Sequence, residues 1–101
     1  MLPSIKQLRY ICAVAEYKHF SKAAEACHVT QSTLSAAIQE LEAQLGVVIF
    51  ERNKKTVLVT PLGEKLLHQA RLILGNVEDF VGLAKSHDEA LTGEIRLGVI
   101  P

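Results

Sequence analysis

The architecture turns on residues 19–35, His19-Phe20-Ser21-Lys22-Ala23-Ala24-Glu25-Ala26-Cys27-His28-Val29-Thr30-Gln31-Ser32-Thr33-Leu34-Ser35. Ser21 is placed to cap a short, alanine-rich helix that runs through Cys27. Two turns are too few for an isolated helix in water, so Ala23, Ala24 and Cys27 must pack on neighbours. Thr30 then caps a second, longer helix, and Val29 with Leu34 fits the staple that fixes a helix's entry angle. Leu34, Ile38, Leu41 and Leu45 recur at spacings of four and three, one narrow apolar stripe, and Gly46 ends the run.

Opposite that stripe stand Ser32, Ser35, Ala36, Gln39 and Ala43, small or amide side chains without a Lys or Arg among them. A merely solvated helix face carries more charge than this. The face therefore meets something, either a hydrogen-bonding ligand or another helix.

Upstream, Ser4 and Gln7 fit a capping box, and Ile5, Leu8, Ile11, Cys12 and Ala15 form the apolar face of a first helix. Downstream, Val47 to Phe50 and Val57 to Val59 read as two short strands around Glu51-Arg52-Asn53-Lys54-Lys55, a hairpin with a basic tip. Thr60-Pro61 starts a long helix, with proline at the first position, where its missing N–H costs nothing. Along that helix Leu66, Ala70, Ile73, Val77, Phe80 and Ala84 repeat at four and three, the spacing of a coiled-coil seam, with Leu67, Leu74 and Val81 beside them. Running to about Ala90 it would extend some 45 Å, too far for the preceding residues to cover. A second chain or a further domain belongs on it. After Thr92-Gly93, Ile95, Leu97 and Val99 alternate with Glu94, Arg96 and Gly98 as a strand with no partner, the start of a domain that is cut off.

The expected class is mainly α: a winged helix-turn-helix, three helices and a β-hairpin wing, followed by a long linker helix. Residues 1–60 are expected to form the first unit, 61–91 the long helix and 92–101 the beginning of a truncated domain.

Composition agrees with a small globular unit. The 101 residues are 49% hydrophobic and 22% charged, with 11 bases against 11 acids. Such a chain can bury one core but not a core plus a separate catalytic cleft. No apolar run approaches the roughly 20 residues of a membrane span, and Met1-Leu2-Pro3-Ser4 lacks a secretion pattern, so a cytoplasmic location is expected. Net neutrality hides a small basic surplus over residues 1–55 and an acidic one after them. Only clustering on one face would turn that surplus into a phosphate-binding patch.

A short helix, a turn at His28-Val29-Thr30 and a longer amphipathic helix suit duplex DNA. A helix fits the major groove, its first residues reach base edges, and its leading N–H groups can meet a phosphate. Thr30, Gln31, Ser32, Thr33, Ser35 and Gln39 supply donors and acceptors for that purpose. Arg52, Lys54 and Lys55 would take backbone phosphates or the flanking minor groove.

The ordered set His19-Phe20-Ser21-Lys22-Ala23-Ala24-Glu25, Val29-Thr30-Gln31-Ser32-Thr33-Leu34-Ser35, Ile38-Gln39-Glu40-Leu41-Glu42, Leu45-Gly46-Val47, Ile49-Phe50-Glu51-Arg52 and Val59-Thr60-Pro61-Leu62-Gly63 resembles the LysR-type transcriptional regulators over nearly the whole chain. Residues 24–35 look most like the OxyR-type, hydrogen-peroxide-sensing branch. The resemblance implies a winged helix-turn-helix that binds double-stranded DNA at an inverted repeat. It also implies a homodimer through the linker helix, with a homotetramer of the full-length protein left open, and an effector domain beginning at Ile95 to Val99. It implies phosphate contacts by Ser21 and Thr30, recognition-helix roles for Gln31, Thr33 and Ser35, and a wing arginine at Arg52. Dimer contacts would come from Leu66, Ala70, Ile73, Leu74, Val77, Phe80, Val81 and Ala84. The family often has proline where Ser32 stands and larger polar residues at Ala36 and Ala37, so base reading here would rest more on Gln31, Ser32 and Gln39. The peroxide-reactive cysteines of that branch lie in the effector domain, and Cys12 and Cys27 match core positions instead.

Other chemistry finds little footing. His19, Cys27 and His28 do not make a converging zinc set, because Cys27 faces the core in the helical count. His68 and His87 are nearly 30 Å apart along one helix. No nucleophile has a His–Asp set and no glycine loop can cradle phosphate, so neither an enzyme, a metal nor a cofactor is expected. The principal rival is a helical protein-interaction module whose long helix binds a partner without DNA. A winged-helix regulator of another family is a second rival, and it would not need the seam.

Overall fold

A computed structural model describes residues 2–53 and 56–92 of the chain. Four helices and one hairpin follow in order: α1 (Ile5–Tyr17), α2 (Phe20–Ala26), α3 (Gln31–Leu45), β1 (Phe50–Arg52), β2 (Val57–Val59) and α4 (Pro61–Thr92). The mainly α, winged helix-turn-helix class expected from sequence, with a long helix after it, is the one observed.

Local chemistry sets most boundaries. The Ser4 hydroxyl accepts from the Gln7 N–H at 3.1 Å while Gln7 Oε1 accepts from the Ser4 N–H at 2.9 Å, so both donors at the head of α1 are paired. Lys18 ends α1 in the left-handed region at φ 53°. That abrupt stop leaves one residue before α2, and the cap is therefore His19, not Ser21. Its Nδ1 accepts from the Lys22 N–H at 3.2 Å, while Ser21 lies inside the first turn, half-buried. Thr30 caps α3 by accepting from the Thr33 N–H at 3.1 Å, and Gly46 closes it at φ 68°.

One core joins these helices. Leu34, Ile38 and Leu41 of α3 are sealed among Ile11 and Val14 of α1, Ala23 and Ala24 of α2, Ile49, Phe50 and Leu67. Burying each of the larger aliphatic side chains contributes roughly 1.5–3 kcal/mol, so α3 is held chiefly by its stripe. Leu45, last of that stripe, sits at the rim and stays 43% exposed. Gln7, the buried polar side chain of the described residues, donates from Nε2 to the Ala37 carbonyl at 3.3 Å and ties α1 to the middle of α3.

The first strand differs from the expected Val47 to Phe50. It runs over Phe50–Arg52, paired antiparallel with Phe50 opposite Val59, Glu51 opposite Leu58 and Arg52 opposite Val57. The reason lies on α3: Glu42 Oε2 accepts the N–H groups of Ile49 and Phe50 at 2.8 and 3.2 Å, and the Glu42 carbonyl takes that of Val47 at 3.1 Å. Val47 to Ile49 is thereby fastened to α3 instead of entering the ladder.

At the head of α4, the Thr60 hydroxyl accepts from the Gly63 N–H at 2.9 Å and donates to the Val48 carbonyl at 2.7 Å. The apolar stripe of α4 then divides. Leu67 and Ala70 are buried in the chain's own core, and Leu66 and Leu74 pack against it. Ile73, Phe80, Val81 and Leu83 remain exposed, Phe80 by 76%. The expected strand Ile95 to Val99 and the tip residues Lys54 and Lys55 lie outside the described residues.

Candidate nucleic-acid interface

The turn between α2 and α3 places His28 in the left-handed region at φ 61°, which swings the chain round so that α3 starts with its N-terminal turn facing outward. Thr30, Gln31, Ser32 and Thr33 are all exposed there, as is Gln39 two turns on, and Ser35 is half-buried. The hydroxyls of this first turn form a linked group. Thr30 Oγ1 donates to Thr33 Oγ1 at 2.8 Å and stands 3.3 Å from the hydroxyl of Ser32. Thr30 is thus occupied with capping, whereas Ser32 and Thr33 offer hydroxyls at the surface. Among the described residues, the amides of Gln31 and Gln39 have no side-chain hydrogen-bond partner. Among the described residues no helix packs on this face, which leaves Ser32, Ala36, Gln39 and Ala43 exposed.

The wing stands beside that face. Arg52 of β1, Gln31 and Ser35 of α3 and Phe20 of α2 line one open hollow of about 280 Å³, with Asn53 and Val57 completing it. A second hollow of about 210 Å³ shares Phe20, Gln31, Asn53 and Val57 with the first and adds Lys18, His19, Ser21 and Thr56. The structure therefore leaves Ser21 in this adjoining hollow and brings Gln31, Ser35 and Arg52 to the first, between α3 and the wing. Arg52 is not loose in it. Its guanidinium carbon lies 4.6 Å from the centroid of the Phe20 ring, and its Nη2 is 3.6 Å from Glu42 Oε1. Phe20 and Glu42 were not singled out in sequence. Nothing in a linear pattern marks a carboxylate ten residues before an arginine as its partner across a glycine turn.

The cysteines stand apart from this cleft. Both are free thiols and half-buried. Burial pushes the Cys12 thiol above its ordinary pKa, with Arg71 acting against the rise, and burial does the same to Cys27 with Arg9 opposing. A raised pKa lowers the thiolate fraction near neutrality, and the thiolate is the nucleophile. Among the described residues no group of three His, Cys, Asp or Glu side chains could hold a metal ion, and no helix is long and apolar enough to cross a membrane.

Comparisons with known proteins bear on this geometry. Residues 5–64 match the family described as bacterial regulatory helix-turn-helix protein, lysR family. The HTH-type transcriptional regulator EstR of Acinetobacter baylyi is 46% identical over 99% of the chain, which corresponds to 33% of that relative. The DNA-binding transcriptional dual regulator OxyR of Escherichia coli K12 is 42% identical over 97% of the chain and 32% of its own length. The chain thus spans about a third of the length of these curated relatives. Among solved structures, the BenM DNA-binding domain in complex with catB site 1 DNA superimposes with a TM-score of 0.80 at 35% identity, covering 90% of this chain and 98% of that one. With the family match spanning more than half the sequence and the fold reproduced, the chain belongs to the lysR family of bacterial regulatory helix-turn-helix proteins.

Proposed function

We propose that the chain is the sequence-specific DNA-binding domain of a dimeric, cytoplasmic LysR-type transcription regulator. The observation that carries the reading is the uncovered polar face of α3, where Gln31, Ser32, Thr33 and Gln39 project to solvent and Ser35 opens on the cleft shared with the wing. On this reading α3 enters the major groove of double-stranded DNA. Gln31, Ser32 and Gln39 address base edges, Ser21, Thr30, Thr33 and Ser35 address the flanking strand, and Arg52, with Lys54 and Lys55, takes backbone phosphate or the adjacent minor groove. Two copies pair through Ile73, Val77, Phe80, Val81 and Ala84 of α4 and set their recognition helices in successive major grooves of an inverted repeat. Leu66 and Leu74, which pack on the chain's own core, would border that contact, and Ala70 would support it from beneath. Cys12 and Cys27 serve as core side chains, and any signal is received by the remainder of the full-length protein.

Selection of bound sequences from random duplexes tests the reading. The expected product is an inverted repeat, against which Gln31→Ala loses roughly 1–3 kcal/mol of discrimination while binding random DNA nearly as well as before. Equal losses on selected and random duplexes would show that Gln31 does not read bases.

A further inference from the structure

Two side chains converge on the wing arginine, each from a different helix, and one of them also pins its strand. Glu42 Oε1 of α3 lies 3.6 Å from its Nη2. The Phe20 ring of α2 faces its guanidinium, whose carbon is 4.6 Å from the ring centroid. Its own strand is pinned because Glu42 Oε2 accepts from the Ile49 and Phe50 N–H groups at 2.8 and 3.2 Å. Neither partner is loose. Phe20 stands edge-on to Phe50, centroids 6.3 Å apart with the rings at 77°, and the Glu42 side chain is only 16% exposed. A guanidinium carries five N–H donors in one plane. A single carboxylate oxygen on one edge and a ring on one face leave donors for an anion. The hollow that Arg52 shares with Gln31 and Ser35 is lined by no acidic side chain.

We infer that Glu42 and Phe20 are positioning residues for DNA binding: they hold the Arg52 guanidinium where it receives one backbone phosphate in the hollow between recognition helix and wing, beside Gln31 and Ser35. The inference rests on the DNA-binding reading above. It makes a prediction whose sign is diagnostic. A bystander carboxylate near a phosphate repels it, so Glu42→Gln would strengthen binding by Coulomb's law. A positioning carboxylate does the reverse, although the glutamine oxygen can still accept from the Ile49 and Phe50 N–H groups.

The test is a fluorescence-anisotropy titration of the full chain with a random-sequence duplex, since a phosphate contact is independent of sequence. R52Q loses one phosphate contact per bound protomer, and with each about 0.9 of the log–log salt slope. A rise from roughly 50 to 200 mM salt then weakens R52Q less than the unmodified chain, by about 3.5-fold for every protomer on the duplex. E42Q weakens binding roughly two- to fivefold, within what a partly exposed ion pair is worth. F20L, which keeps apolar bulk without the ring face, shifts affinity the same way. Both effects vanish in the R52Q background, because they act through that side chain. Tighter or unchanged binding by E42Q, or losses that persist undiminished in E42Q/R52Q, overturn the inference. If E42Q does not fold by circular dichroism, the F20L and F20L/R52Q pair decides the matter with the same readout. An unmodified chain that shows no salt-dependent affinity for duplex would instead defeat the DNA-binding reading on which the inference stands.

Discussion

Gly63 seats α4 against the hairpin because it has no side chain. A Cβ at this position would stand 2.5 Å from the Ile49 carbonyl oxygen and 3.0 Å from both Thr60 Oγ1 and Val59 Cγ1. The oxygen is backbone, already fixed by the Thr60 N–H at 2.9 Å, so it cannot swing aside. Gly63→Ala should therefore destabilise the chain by about 1–3 kcal/mol in urea unfolding, the usual cost of overpacking. An unchanged midpoint would show that the helix slides to make room. Lys18 gives the opposite case. It sits at φ 53° with its side chain exposed, and a left-handed backbone costs an ordinary residue about 1 kcal/mol or more. Lys18→Gly removes that cost and adds unfolded-state freedom, so the net gain expected in the same measurement is no more than about 1 kcal/mol.

At the scale of the element, the start of α4 rests on one side chain. Thr60 accepts from the Gly63 N–H and, through its hydroxyl proton, binds the Val48 carbonyl, so one oxygen joins the helix cap to the segment that follows α3. Thr60→Ala should lower stability by about 1–2 kcal/mol in chemical denaturation, and Thr60→Ser should recover most of it. This cap was legible in sequence, as were those at Ser4, Thr30 and Gly46, because capping is a matter of residues three or four apart. What sequence concealed was of longer reach. Ser21 fits a cap for α2 by residue type, yet the left-handed turn at Lys18 delivers His19 to that place. Val47 to Ile49 had strand composition, yet its N–H groups were claimed by Glu42 across the turn. The polar face of α3 could be read from helical period alone. The arrangement that holds Arg52 could not, since Phe20 and Glu42 meet it only once three elements have packed.

At the scale of the whole molecule, net charge cannot supply the proposed affinity for nucleic acid, because 11 bases balance 11 acids. On that proposal the affinity comes from where the bases stand and from using the site twice. The shape provides for the second. The described chain is 59 Å long but only 25 by 20 Å across, because α4 runs past the core that covers its first turns. Beyond Leu74, Phe80, Val81 and Leu83 lie open, and Ile73 borders an apolar hollow of about 170 Å³ with Leu8, Leu45 and Leu66. A second copy laid along this surface would bury side chains that otherwise stay in water, each worth roughly 1.5–3 kcal/mol when fully covered. Ile73→Glu places a charge at that contact, where it would be desolvated without a partner. Ile73 is partly exposed in the single chain, so the variant should still fold. Sedimentation equilibrium should then show a dimer for the unmodified chain and a monomer for Ile73→Glu. Affinity for a selected inverted repeat should fall on the order of 100-fold, since two linked half-sites gain by effective concentration, while affinity for an isolated half-site should barely change. A dimer of unaltered mass would remove α4 as the seam, and an equal loss on both duplexes would mean that the substitution had damaged the helix-turn-helix itself.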